Sequence, residues 1–246
     1  MSPSTPQATS AVAPAPVLEG VGSAGEQRRR YGVLLASTLA LLAVQGIVPP
    51  SRVQEVAVAA LAGASVVLAC RAAQLSPRVV RLATMVGGVV VVLGVVRATA
   101  GGLSEGAARL CMAALVALGP PAVAVGVVRD LRTSGRVRLE AVSGVLCLYL
   151  LLGLLFAYVY GAIDRLDGDD AFFAGAEEGT LSRCLYFSFT TLTTVGYGDL
   201  VAGSDLGRTL AIFEALIGQI YLVTVVSLIV SNLGRPGRGD RGSASP

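Results

Sequence analysis

The chain has 246 residues, of which 54% are hydrophobic and only 14% are charged, and its mean hydropathy is +0.72. This composition is typical of membrane proteins. The absence of histidine excludes a histidine-dependent catalytic dyad and, with only four scattered cysteines, argues against a zinc site. The formal net charge of +3 does not indicate nucleic-acid binding, because the basic residues cluster at the ends of apolar segments.

The first 26 residues are rich in Ser, Thr, Pro, Ala and Gly without periodicity, and they predict a disordered tail. Arg28, Arg29 and Arg30 then precede an apolar run over residues 31–48. A basic cluster before an apolar stretch is also typical of a signal peptide. Because the run has about 18 residues and follows a long polar leader, a retained membrane helix is the preferred interpretation.

Further apolar segments follow along the chain, at residues 53–69, 82–96, 110–128, 142–163 and 209–233. The segment 110–128 contains Gly119-Pro120-Pro121, which predicts a kink or break that must be packed against protein. The predicted fold is therefore all-α, with six membrane helices and a re-entrant helix and loop between the fifth and sixth. Residues 27–140 form a four-helix membrane region, and residues 234–246 form a short tail.

The charges in the loops predict the topology. All 19 basic residues are arginines, and with the N-terminus inside, 13 of them fall in cytoplasmic segments and 6 outside. This agrees with the positive-inside rule and predicts a multi-pass protein of the plasma membrane with both termini in the cytoplasm. The 13 are Arg28, Arg29, Arg30, Arg71, Arg78, Arg81, Arg129, Arg132, Arg136, Arg138, Arg235, Arg238 and Arg241.

Residues 194–199, Thr-Val-Gly-Tyr-Gly-Asp, are the most informative stretch of the chain. Four such strands around an axis, with their backbone carbonyls turned inward, replace the water shell of a potassium ion. Gly196 and Gly198 are needed because a strand whose successive carbonyls all face one way requires backbone angles that side chains resist. The motif follows a short amphipathic segment, 181–193, and precedes the apolar segment 209–233, as a pore loop requires.

On these residues, the region 141–233 resembles the pore domain of the tetrameric potassium channel family. Asp199-Leu200, Gly207-Arg208 and Gly218 also fit the bacterial pattern of that family. The resemblance implies a passive, potassium-selective channel and no enzyme. It implies a homotetramer in membrane lipid, with K+ as the permeant ion and no other cofactor.

The resemblance also assigns roles within the filter. The ion sites consist of the backbone carbonyls of four residues, with the hydroxyl of the first: Thr194, Val195, Gly196 and Tyr197. Gly198 belongs to the same strand. The segment 181–193 becomes a half-helix whose C-terminal dipole end stabilises a cation at the middle of the membrane.

Four residues are expected to support the filter. Family members carry an aromatic cuff at the positions of Tyr186 and Phe187, although plain packing of Phe187 is equally compatible with the sequence. Tyr186 is also expected to hydrogen-bond Asp199. At Thr190 some bacterial members have a glutamate that pairs with the aspartate after the filter, so its absence leaves inactivation behaviour unpredicted.

Glu214 is the only acid within the last apolar segment, and an ionisable residue at that depth is a functional candidate. One hypothesis places it behind the filter, accepting hydrogen bonds from Ser188 or Thr191. The other makes it an interfacial acid that pairs with Arg208 or contacts water. Gly218 is a candidate gating hinge by resemblance, and close helix packing is the alternative.

Six acids between the outer helix and the pore helix predict an acidic turret that concentrates cations, although salt screens such charges within about 8 Å. A loop charged for solubility is an equal alternative. The six are Asp164, Asp167, Asp169, Asp170, Glu177 and Glu178.

The first four membrane segments do not predict a voltage sensor, because residues 110–128 contain no arginine. Only 14 residues follow Asn232, so no soluble ligand-binding domain is expected in cis. The alternatives to a channel are the membrane subunit of a cation transporter and a non-conducting scaffold with a pore fold. The sequence predicts neither the gating stimulus, nor conductance and rectification, nor the role of the first four helices.

Overall fold

The computed structural model describes residues 19–49, 51–100, 105–134, 139–166, 172–175 and 178–233. Eight α-helices lie in these ranges, and the described residues contain no strand longer than an isolated bridge. The helices are α1 Glu19–Ile47, α2 Arg52–Ala72, α3 Pro77–Ala100, α4 Glu105–Val116, α5 Gly119–Ser134, α6 Leu139–Leu166, α7 Leu181–Leu192 and α8 Asp205–Leu233.

Six helical stretches in the described part are long and apolar enough to cross a membrane. They confirm the prediction of an all-α fold with six membrane helices. The stretches are Arg29–Ile47, Arg52–Ala72, Pro77–Val96, Gly106–Gly126, Val142–Leu166 and Asp205–Val225.

The fourth stretch is interrupted where the sequence predicts a break. Helix α4 ends at Val116 and α5 begins at Gly119, which places both prolines in the first turn of α5, where their missing N–H groups cost nothing. Gly119 is buried, and a Cβ atom at this position would lie 3.0 Å from the side chain of Leu151. The interrupted backbone is therefore packed against α6, as a break at membrane depth requires.

The start of α1 differs from the predicted boundary of the N-terminal tail. The tail was expected to extend to residue 26, but α1 begins at Glu19. Residues 23–30 include Ala, Glu, Gln and three Arg, which are good helix formers, so the membrane helix extends backwards through them. Residues 1–18 and the predicted tail 234–246 lie outside the described residues.

Helix α6 is the central element of the packing, because it contacts α1, α4, α5, α7 and α8. The N-terminal helices and α6 share one core that includes Tyr31, Leu34, Leu151 and Tyr158. In contrast, α8 contacts only α6 and α7 among the described helices, and much of its apolar surface is exposed in the single chain. That exposed surface includes Ile212, Phe213, Leu216, Ile220 and Val223.

Candidate functional site

Helix α7 is a short helix that is fixed at its N-terminal end. Its 12 residues give a length of about 18 Å, which is too short to cross a hydrocarbon core of about 30 Å. Thr180 is the N-cap, and its hydroxyl accepts a hydrogen bond from the backbone N–H of Arg183. The helix is therefore too short to span a membrane, and its C-terminal end leads directly into residues 193–199.

Asp164 and Arg109 hold the segment that leads into α7. The buried Asp164 carboxylate accepts hydrogen bonds from the backbone N–H groups of Phe172 (3.1 Å) and Gly179 (3.0 Å). Arg109 of α4 donates to the carbonyls of Gly161 and Gly179, each at 2.8 Å. These contacts connect the N-terminal helices, the outer helix α6 and the entry to α7.

This position of Asp164 corrects one part of the predicted turret. Its carboxylate is buried and shared between backbone donors, because the loop needs an acceptor where it folds back on α6. Glu178 is exposed, and its carbonyl accepts a hydrogen bond from Arg183. The other four acids of the turret, Asp167, Asp169, Asp170 and Glu177, lie outside the described residues.

Residues 194–198 form the filter strand, a segment in which the sign of φ alternates from one residue to the next. Thr194, Gly196 and Gly198 have φ angles of +58°, +53° and +79°, whereas Val195 and Tyr197 do not have positive φ. In an ordinary strand, successive carbonyls point to opposite sides. When every second residue takes the left-handed conformation, that alternation is cancelled and successive carbonyls face the same side. The two glycines take this conformation without strain, and Thr194 takes it at a cost of about 1–2 kcal/mol.

The last carbonyls of α7 hold the base of this strand. The N–H groups of Val195 and Gly196 donate to the carbonyl of Thr190, at 2.9 and 3.1 Å, and the N–H of Thr194 donates to the carbonyl of Thr191 at 2.9 Å. A helix end leaves such carbonyls without partners in its own helix, so the strand and the helix satisfy each other. Thr190 thus contacts the filter through its backbone, while its hydroxyl donates to the carbonyl of Phe187.

The outer end of the strand is held by Tyr186. Its hydroxyl donates to Asp199 at 2.8 Å, as expected from the resemblance. Its ring also lies parallel to that of Tyr197, with centroids 6.2 Å apart. The hydrogen bond to Asp199 raises the pKa of Tyr186 above its ordinary value.

Phe187 does not face the filter. It is buried in an aromatic cluster with Tyr160, Phe172 and Phe173, at centroid distances of 5.3 to 5.9 Å. Of the two interpretations of Phe187, the geometry agrees with plain packing. The cluster fastens the loop after α6 to α7, because Phe172 and Phe173 belong to that loop and Phe173 forms a bridge with Ala202 beyond the filter.

Glu214 of α8 is fully buried behind α7. It lies 2.5 Å from the Ser188 hydroxyl and accepts a hydrogen bond from Tyr160 of α6 at 2.7 Å. This is the Ser188 contact that the first hypothesis for Glu214 expects. Arg208, the partner in the other hypothesis, instead lies 3.8 Å from Asp205 and donates to the carbonyl of Ala202.

We predict that Glu214 is the neutral acid in this network. The Ser188 oxygen lies between two acceptors, the Gly153 carbonyl at 2.7 Å and Oε1 of Glu214 at 2.5 Å. A hydroxyl has a single proton and can donate to only one of them. All three contacts are satisfied together if Ser188 donates to Gly153, a protonated Glu214 donates to Ser188, and Tyr160 donates to Oε2.

This arrangement predicts opposite results for two substitutions of Glu214. In Glu214→Gln, the amide N–H₂ donates to Ser188 and the amide oxygen accepts from Tyr160, so stability is expected to change by less than about 1 kcal/mol. In Glu214→Leu, the Tyr160 hydroxyl is left without an acceptor, and a loss of about 1–3 kcal/mol is expected. Thermal unfolding of the purified protein in detergent measures both.

The double variant Glu214→Leu with Tyr160→Phe serves as the control for this network. It removes the stranded hydroxyl, so it is expected to be more stable than Glu214→Leu alone. A Glu214→Gln variant as unstable as Glu214→Leu would contradict the neutral acid.

Gly218 lies against the end of α7. A Cβ atom at this position would overlap the carbonyl oxygen of Leu192, which also accepts a hydrogen bond from Tyr149 at 3.0 Å. Helix α8 runs without a break from Asp205 to Leu233. The geometry therefore agrees with close packing, the alternative to a hinge, at Gly218.

Sequence reasoning missed Tyr160 and Arg109 as parts of this site. Arg109 is a charged residue within the fourth stretch, Gly106–Gly126, and a charge inside a membrane segment is a recognised functional signal. The sequence boundary drawn at residue 110 excluded it. Tyr160 carried no signal of its own, because its role depends on the acid of another helix.

Comparison with known proteins identifies the part of the chain that contains α7, α8 and most of α6. Residues 144–235 match a family model described as "Ion channel". Over 92 residues the chain is 37% identical to an inward rectifier potassium channel of Paramagnetospirillum magnetotacticum. These aligned residues are 37% of this chain and 29% of that protein. It is 33% identical over 116 residues to two pore potassium channel a of Oryza sativa subsp. japonica, covering 47% of this chain and 31% of that protein.

A third relative is the calcium-activated potassium channel slowpoke of Drosophila melanogaster, 29% identical over 104 residues, which cover 42% of this chain and 8% of that protein. The chain thus spans less than a third of the length of each of these three relatives. No solved structure matches significantly. Residues 144–235 therefore match an ion channel family, not an enzyme family, and the predicted resemblance to potassium channels is confirmed.

Proposed function

We propose that four copies of this chain form a potassium-selective channel in the membrane. The observation that carries this proposal is the alternating backbone of the filter strand, with positive φ at Thr194, Gly196 and Gly198. A backbone of this kind turns successive carbonyls to one side, which is what replacing the hydration shell of K+ requires. The strand is supported at its base by α7 and at its outer end by Tyr186.

We infer a homotetramer from the number of filter strands that one chain supplies. A single chain gives one filter strand, and a closed ring of carbonyls needs four. In the single chain the strand is exposed, with Val195 at 54% and Tyr197 at 71% of their full accessibility. Helix α8 packs against α7, and its exposed apolar surface would pack against neighbouring copies and line the path below the filter.

The N-terminal helices are proposed to support the pore without sensing voltage. Arg109 is held by the carbonyls of Gly161 and Gly179, so it is fixed to the pore region and is not a mobile gating charge. The bias of arginines toward one side supports cytoplasmic termini and an extracellular filter in the plasma membrane.

The proposal is tested by ion flux and stoichiometry of the same preparation. Purified protein in liposomes is expected to release potassium and not sodium down equal gradients, and native mass spectrometry is expected to give four copies of the chain. Flux that requires a second, coupled ion would indicate a transporter subunit. A protein that is not tetrameric and passes no ion at any voltage or pH would indicate a non-conducting scaffold.

A further inference from the structure

A cavity of about 670 Å³ lies where the N-terminal helices meet the pore region. Its walls come from the end of α1, the first half of α2, the middle of α3, and α4. The pore region contributes Tyr158 and Arg165 of α6, Glu178, and residues 180–182 at the start of α7. The volume is in the range of sites that bind small molecules.

Gln45 lines this cavity and carries one buried polar atom without a hydrogen-bond partner among the described residues. Gln45 is only 4% exposed, and its amide N–H₂ donates to the hydroxyl of Tyr158. Its carbonyl oxygen Oε1 receives no hydrogen bond from any described residue. A buried acceptor without a donor costs about 1–3 kcal/mol, so the site gains from a ligand that supplies one.

The residues that line the cavity determine how polar the rest of the ligand can be. Most of the lining is apolar, with Val58, Val90, Leu93, Met112 and Leu181 among its residues. A ligand that fills this space must therefore be largely apolar.

The charged residues of the lining balance one another. They comprise two acids and two bases, and the N–H groups of Arg109 already bind backbone carbonyls. An ionic group on the ligand would find no net charge to retain it. The four are Glu55, Arg109, Arg165 and Glu178.

We propose that this cavity binds a neutral, mainly apolar molecule through a hydroxyl group that hydrogen-bonds Gln45. The hydroxyl would donate to Oε1 of Gln45, the buried acceptor that no described residue supplies with a hydrogen bond. The ligand would lie against Thr180, the N-cap of α7, and so would join the N-terminal helices to the filter support. Any effect of the ligand on conduction depends on the proposed channel function, whereas its binding does not.

The test uses 1-decanol with a diazirine in its chain, and the methyl ether of the same molecule, on the full chain in lipid nanodiscs. After illumination, labelled peptides are identified by mass spectrometry. The alcohol is expected to label the cavity-lining peptides about tenfold more than the ether, because the ether cannot donate to Gln45. Equal labelling by the two probes would overturn the proposal.

Two glutamines that line the same cavity provide a matched pair of variants. Gln45→Leu is expected to bring the ratio of alcohol to ether labelling close to one. Gln54→Leu is expected to leave the ratio unchanged, because the Gln54 amide donates to the Val44 carbonyl. A preference for the alcohol that survives in Gln45→Leu would refute the assignment to Gln45.

Met112→Trp keeps the test decisive if Gln45→Leu does not fold. The larger side chain fills the cavity, so labelling of its walls by both probes is expected to disappear. Persistence of that labelling would contradict the cavity as the site.

Two further readouts separate the outcomes. A hydroxylated lipid that co-purifies with the wild type and is lost from Gln45→Leu identifies the membrane as the ligand's source. Its absence, with decanol still bound, identifies a soluble amphiphile. Labelling at the cavity in a protein that is not tetrameric and passes no potassium would reject the proposed function and leave the site intact.

Discussion

Replacing Gly196 by aspartate is expected to reduce potassium flux to the level of empty liposomes while the protein still assembles. Gly196 has φ of +53°, and in the single chain no neighbouring atom lies within 4 Å of a Cβ atom added at this position, so the fold can accept a side chain. In the proposed tetramer, an aspartate at a position of positive φ would strain and disturb the alternating backbone that directs the carbonyls toward the ion path. Flux from liposomes and native mass spectrometry measure the two effects separately.

Gly175→Asp is the matched control for this substitution. Gly175 also has positive φ, +89°, and also has open space around a Cβ atom, but it lies in the loop before α7. Because both variants carry the same kind of backbone cost, only their place in the chain differs. Loss of flux in both variants, or in neither, would contradict the role of the strand 194–198.

Replacing Gly218 by alanine is expected to destabilise the protein by about 1–3 kcal/mol and to lower potassium flux. The added methyl group would overlap the Leu192 carbonyl, a backbone atom at the base of the filter that cannot rotate away. Either α8 or the end of α7 must shift. Thermal unfolding in detergent measures the first effect, and liposome flux measures the second.

The sign of the stability change separates packing from a hinge at Gly218. Alanine in a helix interior is ordinarily more stable than glycine by about 1 kcal/mol, so a simple hinge predicts a more stable variant. Gly88→Ala in α3, where nothing lies within 4 Å, is the control in which that gain is expected. A Gly218→Ala variant as stable as Gly88→Ala would show that the close contact is not important.

The features that local chemistry determines could be predicted from the sequence. The alternating strand needs Gly196 and Gly198, and Pro120 and Pro121 cannot continue a helix, so each signal lies in the residues themselves. The apolar segments gave the six membrane helices for the same reason. The N-terminal boundary at Glu19 was not predicted, because helix ends depend on how far neighbouring turns propagate.

The features that depend on contacts between distant segments were not predictable. Asp164 looks like one acid of a charged loop, and only the placement of Phe172 and Gly179 against α6 makes it a buried acceptor. Tyr160 acquires its role from Glu214, 54 residues away in the sequence. Phe187 could not be assigned to the filter or to the core without knowing which face of α7 meets α6.

The reversal potential of the wild-type protein in a planar bilayer tests the central claim most directly. With potassium on one side and sodium on the other, a filter of inward carbonyls predicts a reversal potential far from zero. With unequal potassium alone, it predicts a shift of about 59 mV for each tenfold ratio. A reversal potential near zero under potassium and sodium, from protein that is tetrameric and conducting, would contradict a potassium-selective filter at residues 194–198.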